Sequence, residues 1–502
     1  MSAMPKSSLD FEVPARTNVP HRTVAVAHGD GIGPEITDAV LHVLREAGVA
    51  IDFAPVTLGL RAYKEGHASG VPEDAWDSLA RHKVLLKGPM TTPQGGGYKS
   101  VNVTLRKTLG LYANVRPCVA YHPYVHSPHP GMDVVIVREN EEDTYGGIEH
   151  RQTGEVTQCL KLISRPGCER IVRYAFEYAR RQGRRKITCM SKDNIMKLTD
   201  GLFHRVFDEI AQEYPDIASE HRIIDIGAAR LAVRPRDFDV VVTPNLYGDI
   251  LSDIAAELAG SIGMAGSANI GADLAMFEAV HGSAPDIAGK NIANPSGMLL
   301  AAVMMLAHLG QQDKAELIHN AWLCTLEDGL HTLDILNEQT SKRQVGTREF
   351  AQAIVERLGK SPEHLKAARY PAAEPVAPAA HKTQSEPRPA VKACDGVDIF
   401  LDWAPAVRDP AVLAARLQQA CPAGLRLAMM TNRGTKVWPN GNPDTFCTDH
   451  WRCRFRGGEG AVTPEAILEL MRSLVAAGLP PIKSENLYRF DGNPGYSVAQ
   501  GE

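Results

Sequence analysis

The sequence predicts an α/β fold that is followed by a smaller α+β domain. From Thr23 to Pro295, short runs of β-branched residues alternate with amphipathic stretches, a pattern typical of layered α/β proteins. A segment rich in Pro and Ala, residues 370–393, interrupts this alternation, and new apolar runs begin near Asp395. At 502 residues with 44% hydrophobic content, the chain can fill two or three cores.

The first strand and helix are the clearest of the predicted elements. TVAVAHG, residues 23–29, reads as a strand, and residues 35–48 follow it as an amphipathic helix with Pro34 in the first turn, where a missing N–H has no cost. One stripe of this helix is apolar and comprises Ile36, Val40, Val43, Leu44 and Ala47. The same alternation returns in MDVVIVREN, in RKITCMSK before NIMKLTDGLFHRVFDEIAQEY, and in DFDVVVTPN, a buried strand that ends before another helix.

The segment 370–393 predicts an extended linker, because Pro and Ala with scattered charge cannot bury a core. The runs VDIFLDW, DPAVLAARLQQAC, LRLAMMTN, FCTDHWRCRF and TPEAILELMRSLVAAG then predict a small α+β domain. Within it, Cys447, His450 and Cys453 are spaced like metal ligands. Since alternate residues of a strand face opposite sides, packing is the favoured interpretation of these three side chains.

Composition excludes several classes of partner. Lys and Arg total 54 against 59 Asp and Glu, so no overall positive field recruits nucleic acid or an acidic membrane. The longest apolar run, residues 298–310, is shorter than the roughly 20 residues that a bilayer requires and predicts a buried helix. Nine irregularly spaced cysteines and an N-terminus without a signal-peptide pattern indicate reduced thiols and a cytoplasmic protein.

A pair of carboxylates marks the helix that follows the strand DFDVVVTPN. In NLYGDILSDIAAELAGSIG, residues 245–263, Asp249 and Asp253 are four residues apart and therefore share one helical face. Two like charges at this spacing repel, whereas Mg²⁺ or Mn²⁺ would bind both through oxygen. The alternative is one carboxylate that interacts with the helix dipole and another that is solvated.

Three motifs resemble those of one enzyme family. HGDGIGPEI, NLYGDILSD and VHGSAPDIAGKNIANP follow one another as in the β-decarboxylating dehydrogenases, which act on isocitrate, homoisocitrate, 3-isopropylmalate or tartrate, and the resemblance covers roughly residues 20 to 365. It implies the two-domain isocitrate/isopropylmalate dehydrogenase-like fold, which is not a Rossmann fold. Neither GDGIG nor GGGYKS, from Gly95, has the spacing of a dinucleotide fingerprint or a P-loop.

The resemblance also implies a domain organisation. A large α/β domain would comprise residues 1–110 and 260–369, and a small domain, residues 111–259, would carry a dimer clasp near 146–168. The linker 370–393 and the α+β domain 394–502 would complete the chain. Because family members share active sites between subunits, the resemblance implies a homodimer at minimum.

The substrate pocket favours isocitrate. Ser100 and Asn102 match the polar pair that isocitrate enzymes direct at the extra carboxylate, and beside an alkyl group each would lose about 1 to 3 kcal/mol as an unpaired polar group. By resemblance, Arg106, Arg116 and Arg138 bind the substrate carboxylates with forked donors. The alternative for the three arginines is that they form solvated ion pairs on the surface. The alternative for the substrate is homoisocitrate or isopropylmalate, as in the sister enzymes.

The resemblance assigns the chemistry to five further residues. Metal would be held by Asp249 and Asp253 together with Asp225 of the partner subunit, although Asp225 could instead pair with Arg230. Lys192 matches the residue that removes the hydroxyl proton, and Tyr145 matches the acid that protonates the carbon after CO₂ loss. The alternatives are that Lys192 is a surface lysine whose amine reaches solvent and that the Tyr145 phenol is only packed against its neighbours. A non-catalytic regulatory subunit would be expected to lack one of these residues.

The loop at residues 284–289, APDIAG, is interpreted as the cofactor selector. NADP-linked isocitrate dehydrogenases carry Lys and Tyr where this chain has Asp286 and Ile287, so the carboxylate would repel a 2′-phosphate and accept bonds from the ribose hydroxyls of NAD. NAD is therefore predicted, with NADP as the alternative. The resemblance assigns His281, Gly282 and Asn294 to the same cofactor site. Another interpretation is that Asp286 only caps the loop.

Overall fold

The computed structural model describes residues 21–92, 100–370, 390–458 and 461–498. Residues 95–99 of GGGYKS and most of the predicted linker, 371–389, lie outside the described residues. The strands up to residue 279 are β1 (Arg22–Ala27), β2 (Ile51–Pro55), β3 (Val84–Lys87), β4 (Ala113–Val119), β5 (Asp133–Glu139), β6 (Glu149–Arg151), β7 (Thr157–Cys159), β8 (Lys186–Ser191), β9 (Ala218–Ile223), β10 (Val240–Thr243), β11 (Gly266–Ile270) and β12 (Ala275–Ala279).

The later strands are β13 (Leu330–His331), β14 (Arg343–Gln344), β15 (Lys392–Asp402), β16 (Leu425–Asn432), β17 (Thr435–Trp438), β18 (His450–Gly457), β19 (Pro481–Phe490) and β20 (Asn493–Pro494). The helices are α1 (Gly33–Glu46), α2 (Leu60–Lys64), α3 (Glu73–His82), α4 (Val101–Thr108), α5 (Arg165–Arg181), α6 (Thr199–Ala211), α7 (Ile224–Val233), α8 (Asn245–Ala259), α9 (Ser296–His308), α10 (Gln312–Glu327), α11 (Thr347–Val355), α12 (Pro410–Ala420) and α13 (Pro464–Ala476). Among the described residues, no helix is both long and apolar enough to cross a membrane.

The chain divides into two units, which are described separately. The first unit lies within residues 21–140, 228–241 and 249–370, and the second within 141–227, 242–248 and 390–498.

The first unit contains a mixed sheet with strand order β2-β1-β3-β12-β11-β4-β5. β1 pairs in parallel with β2 and β3, and β3 pairs in parallel with β12. The three remaining pairs, β12–β11, β11–β4 and β4–β5, are antiparallel. The main apolar core joins this sheet to α1, α9, α10 and α11. The predicted α/β class is confirmed, and the antiparallel half distinguishes the sheet from the wholly parallel Rossmann type.

Two helices of the first unit follow the sequence pattern closely. In α1, Ile36, Val40, Val43 and Leu44 are buried, and Pro34 occupies the first turn. α9 is apolar on all sides and almost entirely buried, as predicted for residues 298–310. A helix that is apolar all round must be enclosed by other elements, which explains its place between the sheet and α10.

His319, on α10, faces a small apolar cavity of about 110 Å³ with Tyr121 and Tyr370, and its Nδ1 lies 2.7 Å from the Tyr370 hydroxyl. Burial lowers the pKa of His319 to about 4, from an ordinary value of 6.5. The unfolded chain therefore binds more protons than the folded chain between these two values. The contribution of His319 to the free energy of unfolding is fully present above pH 6.5 and is lost as the pH falls towards 4.

We expect His319→Asn to reduce this acid sensitivity, because the asparagine oxygen can still accept from Tyr370 but does not titrate. At 1.36 kcal/mol for each pKa unit, His319 accounts for up to about 3 kcal/mol between pH 7 and pH 4. Melting temperatures at both pH values would measure the effect. Equal losses of stability in the wild type, in His319→Asn and in a control at the exposed His67 would contradict this role.

The second unit contains the parallel pair β8 and β9, with α5 and α6 packed beside β8. Phe176 stacks on Phe207 and on Tyr214, so aromatic contacts join the two helices. β6 and β7 form an antiparallel hairpin within the predicted clasp, 146–168.

The C-terminal part of the second unit is an antiparallel sheet of order β17-β16-β18-β15-β19-β20. Its main strands and helices alternate as β15-α12-β16-β18-α13-β19, the ferredoxin-like βαββαβ arrangement, which confirms the predicted small α+β domain. Cys447 and Cys453 belong to its apolar core, whereas the His450 ring packs at a tilt against Phe400. These positions fit the packing interpretation of the three side chains.

The C-terminal domain holds the loop between β6 and β7. Asp449 accepts hydrogen bonds from the Thr153 hydroxyl at 2.5 Å and from the Glu155 backbone N–H at 3.2 Å. Arg408 binds the Glu155 carboxylate through two nitrogens, and Lys483 donates to Gln158 of β7. The hairpin is therefore anchored by residues that are about 250 to 330 positions away in the sequence.

We expect Asp449→Ala to destabilise this contact by about 2 kcal/mol, because it leaves the buried Thr153 hydroxyl and the part-buried Glu155 N–H without their charged acceptor. Hydrogen exchange of the amides in residues 149–159 should accelerate. Asp444→Ala, an exposed position in the same domain, is the matched control. Unchanged exchange in Asp449→Ala would show that the hairpin does not depend on this carboxylate.

Candidate active site

A cavity of about 370 Å³ lies in the first unit, beside the carboxyl ends of β3 and β12. Of the predicted site residues, Asn102 and Arg106 reach it from α4, Arg116 from β4, and His281 and Gly282 from the loop after β12. Asn102 Oδ1, Arg106 Nε and His281 Nε2 are buried and have no hydrogen-bond partner among the described residues. Buried polar atoms are normally paired, so these three atoms indicate a polar ligand.

Sequence reasoning missed two residues of this site: Glu278, which lines the cavity, and Lys87, which pairs with Glu278. Glu278 is buried, and its two oxygens lie 2.6 Å from Lys87 Nζ and 2.9 Å from Arg106 Nη2. Burial alone would raise the pKa of Glu278, but the Lys87 and Arg106 cations outweigh burial and hold this pKa well below its ordinary value. The cluster carries a net positive charge, which suits an anionic ligand. The sequence did offer a signal for this pair, because each of two otherwise apolar strands contains one charged residue: Lys87 in VLLK and Glu278 in AMFEA.

Arg116 and Arg138 are buried and contact the acidic pair of α8. Arg116 Nη2 lies 3.5 Å from Asp249 and Nη1 lies 3.3 Å from Asp253, and Arg138 also binds Asp249. Ser252 and Asn114 fix the Arg116 guanidinium at 2.6 Å each. Burial, followed by repulsion from Arg106, lowers the pKa of Arg116. Two of the three predicted arginines thus meet the two predicted metal ligands within this unit.

The acidic pair fits a divalent cation. Asp249 and Asp253 project from the same face of α8, and their side chains are 36% and 54% exposed, so an ion can reach them. Burial, together with the like charge of Asp249, raises the pKa of Asp253. A carboxylate whose charged form is disfavoured gains from a nearby cation, and an all-oxygen donor set is the one that Mg²⁺ and Mn²⁺ prefer.

Ser100 has a structural contact as well as its predicted role. It precedes α4, and its hydroxyl caps the helix by accepting from the Val103 backbone N–H at 3.5 Å. The Thr92 hydroxyl donates to Ser100 at 3.2 Å. Ser100 therefore positions the helix that carries Asn102 and Arg106.

The first and third sequence motifs meet backbone to backbone. The Ile32 N–H donates to Ser283 O at 2.8 Å, and a Cβ at Gly31 would lie 1.9 Å from that same oxygen. A Cβ at Gly29, whose φ is +78°, would lie 2.2 Å from Pro89 O. Glycine is thus required at both positions by close approach and by positive φ, and the two motifs form one wall next to the cavity.

The predicted cofactor residues spread along the loop that follows this wall. Asp286 is exposed in a short 3-10 turn, Pro285–Ile287, and Ile287 packs partly against the main core. Asn294 is buried and donates to Asp334, a residue that sequence reasoning did not select, at 3.0 Å. Burial lowers the pKa of His281, and Asp334 opposes that shift. His281 and Asn294 are therefore associated with one carboxylate, whereas Asp286 faces solvent.

The remaining three predicted residues belong to the second unit. Lys192 follows β8, and its Nζ lies 2.7 Å from Asp225 of α7. The hydrogen bond from Lys192 lowers the pKa of Asp225, which favours the charged form of that carboxyl. Tyr145 lies in a 3-10 turn, Thr144–Gly146, after the buried Asp143. The structure thus pairs Lys192 with Asp225, and Arg230 is not needed to balance that carboxylate.

Comparison with known proteins defines the class to which this fold and site belong. The isocitrate/isopropylmalate dehydrogenase family model matches residues 23–354, and the chain belongs to that family. Residues 392–502 match a second model, the C-terminal domain of bacterial isocitrate dehydrogenase. The predicted isocitrate/isopropylmalate dehydrogenase-like fold is therefore confirmed.

Three relatives illustrate the match. Isocitrate dehydrogenase [NADP] of Rickettsia felis is 52% identical over 482 residues, which cover 95% of this chain and 99% of that protein. A crystal structure of a protein from Thermus thermophilus has a TM-score of 0.87 at 44% identity, with 96% of both chains covered. The mitochondrial NAD isocitrate dehydrogenase catalytic subunit 5 of Arabidopsis thaliana is 45% identical over 67% of this chain and 88% of its own length.

The names of these relatives bear on the cofactor. The Rickettsia felis relative, which matches over nearly the full chain, is named for NADP, whereas the Arabidopsis relative named for NAD matches over two thirds of it. The prediction of NAD is not supported by this comparison.

Proposed function

We propose that this protein catalyses the metal-dependent oxidative decarboxylation of isocitrate to 2-oxoglutarate and CO₂, with NADP as the preferred hydride acceptor. The observation that carries the proposal is the cavity in which Arg106, Arg116 and the unpaired Asn102 amide converge beside the acidic pair of α8. Family membership supports the reaction type, and the relatives that match over the full chain support the substrate and NADP.

The polarity of the cavity supports a tricarboxylate over an alkyl-substituted substrate. Arg106 Nε is a buried donor that lacks a partner, and a substrate carboxylate would accept from it, whereas an isopropyl group would leave it unpaired. That loss is about 1 to 3 kcal/mol for each polar group, more than one apolar contact would return. Homoisocitrate, which keeps all three carboxylates, remains the sister substrate closest in chemistry.

In the proposed reaction, Arg106, Arg116 and Arg138 bind and orient the substrate carboxylates. Lys192 accepts the proton of the 2-hydroxyl, and Tyr145 returns a proton to the carbon that has lost CO₂. Asp249 and Asp253, with Asp225 of the partner subunit, would hold Mg²⁺ or Mn²⁺, which supplies charge stabilisation at the developing carbonyl and enolate oxygens. This assignment requires a homodimer, because one chain would provide Asp225 and Lys192 to its partner.

The exposed position of Asp286 explains why NADP is compatible with the loop. In water-like surroundings two unit charges 4 Å apart interact by only about 1 kcal/mol, and salt screens them further. A carboxylate at this position weakens the binding of a 2′-phosphate without preventing it. Asp286 can therefore tune the preference while other contacts set it.

The proposed function is tested by initial rates at 340 nm with isocitrate and Mn²⁺ or Mg²⁺, comparing NADP with NAD and including 3-isopropylmalate. We expect turnover with isocitrate that requires metal and is faster with NADP. Turnover only with NAD would return the cofactor assignment to the sequence-based prediction. Turnover with isopropylmalate alone would refute the substrate, and no turnover with any of them would favour a regulatory subunit.

We expect the double substitution Asp286→Lys and Ile287→Tyr to raise kcat/KM for NADP relative to NAD. Removing the repulsion and adding a cation changes the interaction by about 1 to 2 kcal/mol, which corresponds to roughly a 5- to 30-fold change in the ratio. Lys290→Met, four residues further along the exposed loop, is a control for general disturbance of the loop. An unchanged ratio would show that this loop does not select the cofactor.

A further inference from the structure

A second cluster of metal-ligating side chains lies in the second unit, at the carboxyl end of β8. Asp193 follows this strand, His204 lies on α6 and His221 on β9. One carboxylate oxygen and one ring nitrogen from each histidine lie within 4.8 Å of one another. None of these residues belongs to the proposed active site.

A single carboxylate faces both rings. Asp193 Oδ2 lies 2.7 Å from His204 Nδ1, and Asp193 Oδ1 lies 3.8 Å from His221 Nε2. His221 Nε2 is also 2.8 Å from the Ser191 hydroxyl. The three side chains are 14% to 26% exposed, so the cluster is accessible to an ion from solvent while most of it is shielded from water.

The opposite edge of His204 is also held by a carboxylate. Asp208 lies 3.4 Å from His204 Nε2, one helical turn along α6. The contact with Asp193 is the shorter of the two, so His204 Nδ1 lies where either a proton or a metal ion bridges the ring and the Asp193 carboxylate. A lone pair and a carboxylate oxygen 2.7 Å apart repel unless a proton or a metal ion lies between them.

The stacking of the two rings disfavours a positive charge on both of them. Their centroids are 3.5 Å apart with planes 17° from parallel, so two imidazolium ions would repel across the stack. Burial and the proximity of His204 both lower the pKa of His221. Imidazole nitrogens together with a carboxylate form a donor set that transition metals prefer, whereas Mg²⁺ prefers oxygen alone.

We propose that Asp193, His204 and His221 bind a transition metal ion of the Zn²⁺ class, with Ser191 or a water as a fourth ligand. Ligands of a tetrahedral zinc ion lie about 3.4 Å apart, so side-chain movements of roughly 1 Å, with the two rings tilted out of their stack, would close the site. The ion would join β8, β9 and α6. This site is independent of the proposed reaction, and its test does not require activity.

Zinc binding to the full-length protein tests this site directly. The protein competes for zinc with a chromophoric chelator, and excess Mg²⁺ is present to occupy the carboxylate site. We expect the wild type to bind one zinc ion that the variants lose. His204→Gln, His221→Gln and Asp193→Asn should each weaken its binding about tenfold or more. The exposed His67→Gln is the matched control. Equal affinity in all five proteins would overturn the proposal.

X-ray absorption at the zinc edge identifies the ligands of the bound ion. We expect two imidazoles with nitrogen and oxygen distances of about 2.0 to 2.1 Å. Sulfur at about 2.3 Å would assign the ion to cysteine, of which Cys159 is an exposed example, and would refute the site. Melting temperatures without metal show whether each variant is folded, and a folded variant that still binds zinc as the wild type does counts against the proposal.

Discussion

Glu278→Gln is expected to lower the melting temperature by several degrees and to reduce kcat/KM strongly. The substitution leaves Lys87 and Arg106 buried together without the carboxylate that neutralises them. Removing one partner of a buried ion pair typically costs about 3 to 5 kcal/mol, because the remaining charge stays desolvated. Arg106 would also lose the contact that orients it beside the cavity.

A surface ion pair provides the control for this effect. Glu316 binds Arg369, whose side chain is 82% exposed, so Glu316→Gln should change the melting temperature by less than about one degree. Thermal melting of the three proteins measures stability, and initial rates at fixed isocitrate measure function. A Glu278→Gln protein as stable as the Glu316→Gln protein would show that Lys87 and Arg106 find other partners.

Asp253→Asn is expected to reduce activity by about a thousandfold with little loss of stability. Asp253 is half-exposed and makes one long contact with Arg116, so its charge contributes little to folding. If it helps to hold the catalytic cation, its loss removes several kcal/mol of charge stabilisation in the reaction. We expect the residual activity to require a higher Mn²⁺ concentration.

Glu257→Gln is the matched variant for this prediction. Glu257 lies one turn beyond Asp253 on α8 and is exposed, so it tests the general effect of removing a charge from this helix face. Rates measured over a Mn²⁺ titration distinguish metal binding from other causes. A loss of activity that is the same at every Mn²⁺ concentration would place Asp253 outside the metal site.

Most of the fold could be predicted from the local periodicity of apolar residues. The apolar stripe from Ile36 to Ala47 predicted α1 to within two residues at each end, and the alternation of strands and helices predicted the α/β class. The i, i+4 spacing of Asp249 and Asp253 placed both on one face, where both contact Arg116. Such features depend on neighbours in sequence, which is why they could be read without the structure.

The features that escaped prediction depend on partners distant in sequence. Glu278 and Lys87 are 191 positions apart, and their role follows only from the buried ion pair that they form. The strength with which Asp286 would repel a 2′-phosphate depends on its exposure to solvent. That exposure is visible in the structure and could not be predicted from the sequence. The cluster of His204 and His221 likewise required the adjacent placement of α6 and β9 beside Asp193.

The anchoring of the β6–β7 hairpin has a consequence for the order in which the chain matures. Thr153 and Asp449 are separated by 296 residues, so the hairpin leaves the ribosome long before its anchor exists. At about 5 to 20 residues per second, that interval is roughly 15 to 60 seconds. During this time the hairpin lacks its C-terminal contacts, and any association of subunits that uses the anchored hairpin must wait until synthesis is almost complete.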